Sequence, residues 1–289
     1  MTRTKDMQSA WAEKWPAPAK LNLMLRITGQ RDDGYHLLQT VFQMLDLCDW
    51  IQFHPVSDSS VSLKNPITGV PEETDLTVRA AKLLQAEANC QQGVCIEVEK
   101  NLPMGGGLGG GSSDAATTLL VLNKLWNINL PVEKLMQMGL KLGADVPVFV
   151  YGFSAWAEGV GEKLDRITIP EQWVVIIKPD CHVDTKEIFS QKDLTRNSKT
   201  ITIADFLTGQ QQNDCTAIVR KLYQSVEQAL LALSEFSEAR LTGTGACVFA
   251  QFDSEESARK AYQTLKPEWQ VYLSKGMNES LLSQKLALF

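Results

Sequence analysis

Pro103-Met104-Gly105-Gly106-Gly107-Leu108-Gly109-Gly110-Gly111-Ser112-Ser113-Asp114-Ala115-Ala116 is the stretch from which the rest of this chain can be read. Between Gly105 and Gly111 every residue is glycine except Leu108. Glycine loses more backbone freedom on folding than any other residue, so such a cluster needs an offsetting reason. A flexible linker would be Gly/Ser-rich throughout and would lead nowhere in particular. This cluster instead follows a strand-like run, Val94 to Glu99, and opens into a helical one, Ser112 to Trp126. That is the layout of an anion cradle. Bare backbone N–H groups approach the ligand, and a helix N-terminus adds unpaired donors and positive partial charge.

A Walker A loop needs Lys-Ser/Thr after its last glycine, whereas Gly111 is followed by Ser112-Ser113-Asp114. The dinucleotide pattern G-x-G-x-x-G is met by Gly105, Gly107 and Gly110, as it would be by almost any polyglycine cluster. It also demands a second strand ending in an acidic residue about 20 residues on. After Trp126 come Asn127 to Pro131 and then a second helix, Val132 to Leu142, closed by Gly143. What fits is a phosphate loop capped by the serine pair Ser112/Ser113, with its cation supplied from elsewhere. Phosphoryl transfer would also need a base and charge neutralisation at the γ-phosphate.

The composition frames the ligand. A chain of 289 residues is long for one core and comfortable for two. With 44% hydrophobic and 21% charged residues it is a soluble globular protein rather than a disordered one. The net charge of −6, without a basic run, argues against nucleic acid, so an anionic small ligand must be held by local donors. Six cysteines form no C-x-x-C pair, which favours reduced thiols in a cytoplasm. Met1 to Ala10 has no apolar stretch typical of a secretory signal and is expected to be a frayed tail. No run approaches the roughly 20 apolar residues of a membrane span, so no membrane partner is expected.

Apolar periodicity gives a mixture of strands and helices. Lys20 to Thr28 alternates, with Leu21, Leu23, Leu25 and Ile27 on one face and Lys20, Asn22, Met24 and Arg26 on the other, which predicts a half-buried strand. Gly29 to Gly34 is a turn, followed by strands at His36–Leu47, Trp50–Val56 and Val61–Lys64. Asp75 to Ala88 steps at helical spacing, with Thr74 or Asp75 as N-cap. Ser154 to Ile169 suggests strands about a turn at Glu158–Gly161. Trp173 to Lys178 is a buried strand, and Thr185 to Phe189 a short helix or turn. Ile218 to Phe236 reads as one long amphipathic helix. Arg240 to Phe252 is a strand interrupted by Gly243-Thr244-Gly245, and a helix at Ser254–Leu265 and a strand at Gln270–Ser274 complete the pattern.

Three motifs, in order along nearly the whole chain, resemble the galactokinase/homoserine kinase/mevalonate kinase superfamily. They are Pro18-Ala19-Lys20-Leu21-Asn22-Leu23, the Pro103–Ser113 loop, and Leu241-Thr242-Gly243-Thr244-Gly245-Ala246-Cys247-Val248-Phe249. Gly29-Gln30-Arg31-Asp32-Asp33-Gly34-Tyr35-His36 and Gly143-Ala144-Asp145-Val146-Pro147-Val148-Phe149 are similar to one branch of it. That branch acts on a cytidine diphosphate-linked methylerythritol in non-mevalonate isoprenoid precursor synthesis. The resemblance implies an α+β, two-domain small-molecule kinase fold with the active site in the cleft. Residues 11–160 would be an ATP-binding domain like ribosomal protein S5 domain 2, and residues 161–289 a ferredoxin-like, substrate-side domain whose tail packs back on the first.

The resemblance also implies roles. Asp145 would be the catalytic base and Lys20 its partner; without the resemblance they would be read as a turn aspartate and a solvated strand lysine. Asn22 would orient Asp145 or the acceptor, Tyr35 and Phe189 would sandwich the cytosine ring, and His36 would bond its edge. Thr185 would meet the diphosphate or ribose. ATP would lie on Lys100, Pro103, Met104, Gly105, Gly106, Gly107, Leu108, Gly109, Gly110, Gly111, Ser112 and Ser113, with Asp75 and Leu76 near adenine. Magnesium would be held mainly by phosphates and water, with no dedicated protein cage. Asp114, beside a triphosphate, would repel it unless turned away or engaged with magnesium. A monomer or weak homodimer is expected. The residues leave open another alcohol kinase of the superfamily and a non-catalytic nucleotide-binding protein.

Overall fold

A computed structural model describes residues 7–289 of the chain. The expected frayed tail lies outside the described residues as far as residue 6, and Met7–Ala10 form a helical turn, α1. There follow β1 (Lys14–Gln30), β2 (His36–Val56), β3 (Val61–Leu63), α2 (Leu76–Ala88), β4 (Gly93–Glu99), α3 (Gly110–Leu125), α4 (Val132–Leu142) and α5 (Val146–Tyr151). Next come β5 (Ala155–Glu158), β6 (Lys163–Arg166), β7 (Trp173–Lys178), α6 (Thr185–Ser190), α7 (Ile203–Leu207), α8 (Thr216–Leu222) and α9 (Gln224–Ser234). The chain closes with β8 (Ala239–Leu241), β9 (Val248–Phe252), α10 (Glu255–Leu265), β10 (Gln270–Met277) and α11 (Leu281–Leu286). None of the described helices is long and apolar enough to cross a membrane.

The spine is β2. Instead of two strands, His36 to Val56 runs unbroken, because Cys48 and Asp49 keep their pairing with Pro18 and Ala17 of β1. Its other edge is shared: Thr40–Phe42 pair with β5, Met44 and Leu45 with β10, and Trp50–Val56 with β4. Through β10 the sheet continues into β7, β9 and β8.

Against one part of the sheet, Ile51 and Phe53 pack with Val78 and Leu84 of α2 and with Leu119 and Leu122 of α3. Around the other, Val175 and Ile177 pack with Val219, Val226 and Leu230 of α8 and α9 and with Ala258 of α10. A third cluster joins the two, with Leu21, Met24 and Leu45 against Val174, Ile176 and Phe249. Removing side chains of this size from water is what holds such layers together, at roughly 25 cal/mol per Å² of apolar surface.

Two further expectations need correction. β1 is not half-buried: Lys20, Asn22 and Met24 are all buried along with the leucines, because both faces of the strand are covered. Its alternation also breaks. Asn22 pairs with Phe42 and Met24 with Val41, so Leu23 is an extra residue, a bulge. From Met24 onward the faces exchange, and Leu25, opposite Thr40, joins the side that carries Lys20 and Asn22. The long helix from Ile218 is likewise two helices. Tyr223, extended at φ −124° and ψ 90°, separates α8 from α9, yet both bury the same kind of face, so apolar spacing alone could not reveal the break. Asp75, not Thr74, caps α2, its carboxylate accepting from the N–H groups of Thr77 and Val78.

Candidate active site

Gly109, in the left-handed region at φ 76°, delivers the chain into α3 without any side-chain cap. The amides of the first turn of α3 therefore have no capping side chain to serve them, as an anion site requires. At Gly107, φ is 77° and a Cβ would stand 2.8 Å from Thr242 O and 2.9 Å from Gly245 O. Only glycine lets the two glycine turns touch there. Their contact is fixed by the Cys247 N–H donating to Gly106 O at 3.1 Å. Leu108 is the anchor, buried in the central cluster with Cys247 and Phe249.

Lys20 lies beneath this loop with its side chain 3% exposed. Its ammonium donates to Asn22 Oδ1 at 2.6 Å and to Gly107 O at 3.1 Å, and pairs with Asp145 Oδ2 at 3.1 Å. Asn22 Nδ2 donates to Thr40 Oγ1, which donates to Met24 O, so the amide's oxygen is committed to the lysine. Asp145 stands at the N-cap position of α5, but its side chain makes no cap bond. Its carboxylate, 38% exposed, faces Lys20 and the cleft instead.

Two cavities meet at that carboxylate. One, of about 420 Å³, runs along the loop from Ile67, Val70 and Leu76 past Lys100 to Ser112. The other, of about 390 Å³, is lined by Lys20, Asn22, Thr40, His182, Thr185 and Phe189 with the turn Gly243–Gly245. Gly105, Gly107, Ser112 and Asp145 belong to both. The first has an apolar end and a run of glycine amides; the second sets its polar side chains beside Leu25, Leu38 and Phe42.

Farther out, a third cavity of about 570 Å³ is lined by Tyr35, His36, Lys186 and Phe189. His36 stacks on Phe189, with ring centroids 4.7 Å apart and planes at 23°. Burial and then the nearby Arg196 guanidinium hold the His36 pKa below the ordinary imidazole value. Tyr35, 63% exposed, also lines this cavity. Thr185 Oγ1 lies 2.9 Å from Thr244 Oγ1, tying α6 to the second glycine turn.

Along the first cavity Lys100 bridges two carboxylates, Asp49 and Asp114, the latter at 2.7 Å. Asp49 also accepts from the N–H groups of Asn101 and Leu102, which fixes the entry to the glycine loop. Asp114 turns one oxygen onto Lys100, so its charge is met before any triphosphate arrives; its other oxygen is buried without a partner. Burial pushes the Asp114 pKa up to about 7, opposed by Lys100 and reinforced by Asp49 and Asp75. Burial alone would lower Lys100, but the two carboxylates outweigh it and raise its pKa.

Most expected residues thus converge. Lys20, Asn22, Asp145, Ser112, Thr185 and Phe189 surround the second cavity, and Lys100, Pro103, Met104 and the loop glycines the first. Leu108 and Ser113 do not: both are buried and line neither cavity, because one is the loop's anchor and the other turns inward on α3. Reading the residues missed Asp49, Thr40, His182 and Arg196. Asp49 offered a signal, a carboxylate inside an apolar strand, which burial makes costly unless it is paired.

Family models define the class: the GHMP kinases N terminal domain matches residues 75–153, and the GHMP kinases C terminal model matches residues 192–270. A 4-diphosphocytidyl-2-C-methyl-D-erythritol kinase of Nitrosococcus oceani is 54% identical over 268 residues, 93% of this chain and 96% of that protein. The kinase of the same name from Methylococcus capsulatus is 54% identical over 285 residues, 98% of each. A crystal structure of 4-(cytidine 5'-diphospho)-2C-methyl-D-erythritol kinase superposes with a TM-score of 0.81 at 29% identity, covering 91% of this chain and 99% of that one. The chain belongs to the 4-diphosphocytidyl-2-C-methyl-D-erythritol kinases, a branch of the GHMP kinases.

The raised pKa of Asp114 has a definite sign in stability. The folded state holds this proton more tightly than the unfolded state, whose value is near 3.8, so stability falls as pH rises from there to about 7 and then levels. Asp114→Asn removes that dependence. Melting temperatures of the two proteins across this range should diverge in favour of the variant as pH increases, and parallel curves would contradict the burial account.

Proposed function

We propose that the protein transfers the γ-phosphoryl group of ATP to the C2 hydroxyl of 4-diphosphocytidyl-2-C-methyl-D-erythritol, giving the 2-phosphate and ADP. This is a step of non-mevalonate isoprenoid precursor synthesis. One observation carries the assignment: Asp145, free of capping duty and ion-paired to buried Lys20, stands where the donor and acceptor cavities join.

Residues 11–160 form the ATP-binding unit in this proposal and residues 161–289 the substrate-side unit, with the reaction in the cleft. The triphosphate rests on the Gly105–Gly111 amides and the first turn of α3, while the adenine enters the apolar end by Ile67, Val70 and Leu76. Asp145 takes the proton of the acceptor hydroxyl as its oxygen attacks the γ-phosphorus and the bond to the β-phosphate oxygen breaks. Lys20 holds that carboxylate in place through their ion pair and adds positive charge beside the transferring group. Asn22, itself held by Thr40, fixes the lysine.

The oxygen donors at the junction, Ser112 and Asp145, suit a magnesium ion that arrives on the triphosphate. When bound, it neutralises phosphate charge. The cytosine ring lies against Phe189 and Tyr35 beside His36, and Thr185 reaches the diphosphate or ribose. The six free cysteines suit a reducing cytoplasm.

Two substitutions test these assignments. Asp145→Asn should lower kcat on the order of 10²–10⁴-fold while folding and ATP binding persist; near-normal turnover would remove Asp145 as the base. Phe189→Ala should raise KM for the cytidyl substrate much more than KM for ATP, and equal effects on both would remove the ring from the acceptor site.

A further inference from the structure

Arg196 lies in the segment after α6 and belongs to none of the motifs that mark the site. Its guanidinium nevertheless reaches two residues that line the third cavity, Phe189 and His36. Nη2 donates to Phe189 O at 2.7 Å and Gln191 O at 2.8 Å, Nη1 donates to Leu194 O at 3.1 Å, and Nε donates to His36 Nε2 at 3.2 Å. No carboxylate pairs with it among the described residues. The fork therefore spends its donors on neutral acceptors, an arrangement that fixes geometry rather than charge. Two of those acceptors belong to Phe189 and His36, the pair of stacked rings in the third cavity.

We infer that Arg196 is a positioning residue of the acceptor site, which holds the His36 imidazole in its Nδ1-protonated, neutral form against the face of Phe189. The inference rests on the acceptor assignment above. A guanidinium offers no lone pair, so the Nε contact requires Nε2 to be the bare nitrogen, and the ring proton must then sit on Nδ1. With one face of Phe189 and one edge of His36 committed in advance, a flat base meets a preformed wall, and less ordering is left to be done on binding. The depressed His36 pKa agrees in direction. The other charged groups around this cavity, Asp33 and Lys186, oppose each other in sign.

The test is Arg196→Gln, read in two ways. The chain has 3 histidines, so the ring nitrogens of His36 are resolvable by NMR in the unliganded protein. The wild type should show one tautomer with bare Nε2; the variant should show a mixture and a titration midpoint moved upward. In steady-state kinetics, KM for the cytidyl substrate should rise about tenfold while kcat and KM for ATP stay within about twofold, the scale of one hydrogen bond to a charged donor. In a His36→Phe background the same substitution should then add little.

Unchanged His36 ring signals in Arg196→Gln, or an undiminished KM cost in the His36→Phe background, would reduce Arg196 to a closure of α6 and overturn the inference. If Arg196→Gln does not fold, Arg196→Lys keeps a cation on the same carbonyls without the planar fork and carries both readouts. A wild type that fails to use the cytidyl substrate would sink the acceptor assignment, while the ring signals would still decide the role of Arg196.

Discussion

A lysine ammonium buried between two glycine turns needs compensation, and the rest of the site is arranged around providing it. Lys20 has three partners: the side-chain oxygen of Asn22, the carbonyl of Gly107 and the carboxylate of Asp145. Each comes from a different part of the chain, and each lines the cleft. Asn22 shares the strand, Gly107 belongs to the glycine loop, and Asp145 is the proposed base. Stripping a buried ion of its partner costs about 3–5 kcal/mol, less here because Asp145 remains partly solvated. The same attraction that offsets burial of the lysine also aims the Asp145 carboxylate at the junction of the cavities.

The glycines follow from that crowding. The loop must pass over Lys20 and at the same time touch the turn Gly243–Gly245, leaving no room for a Cβ at Gly107. Leu108 then makes sense as the one side chain in the cluster: it is the point at which a loop of bare backbone is fastened to the core. Asp49, Lys100 and Asp114 brace the loop on either side, Asp49 at the amides that lead in and Asp114 in the helix that leads out.

Features whose cause is local were legible in the residues. The glycine cluster between a strand and a helix, a cap at Thr74 or Asp75, and the strand interrupted at Gly243–Gly245 all follow from backbone chemistry a few residues long. Lys20 and Asn22 were correctly placed side by side because two residues on one strand share a face. What failed depended on partners distant in sequence. The bulge at Leu23 is set by pairing with β2, so simple alternation put Leu25 on the wrong side. The burial of Lys20 depends on a loop 87 residues away. Ser113 is a different, local case: a helix turns successive residues about 100° apart, so with Ser112 on the cavity Ser113 faces inward. Arg196 had no sequence signal at all; its role exists only where α6 meets the start of β2.

The central claim is that two cavities share one base, with the acceptor chosen by its cytidine. ADP release from ATP should be compared between 4-diphosphocytidyl-2-C-methyl-D-erythritol and the same methylerythritol phosphate without the cytidyl group. The account predicts rapid, acceptor-dependent ADP release with the cytidyl compound and little with the truncated one. Equal release with both, or ATP binding with no release from either, would contradict it.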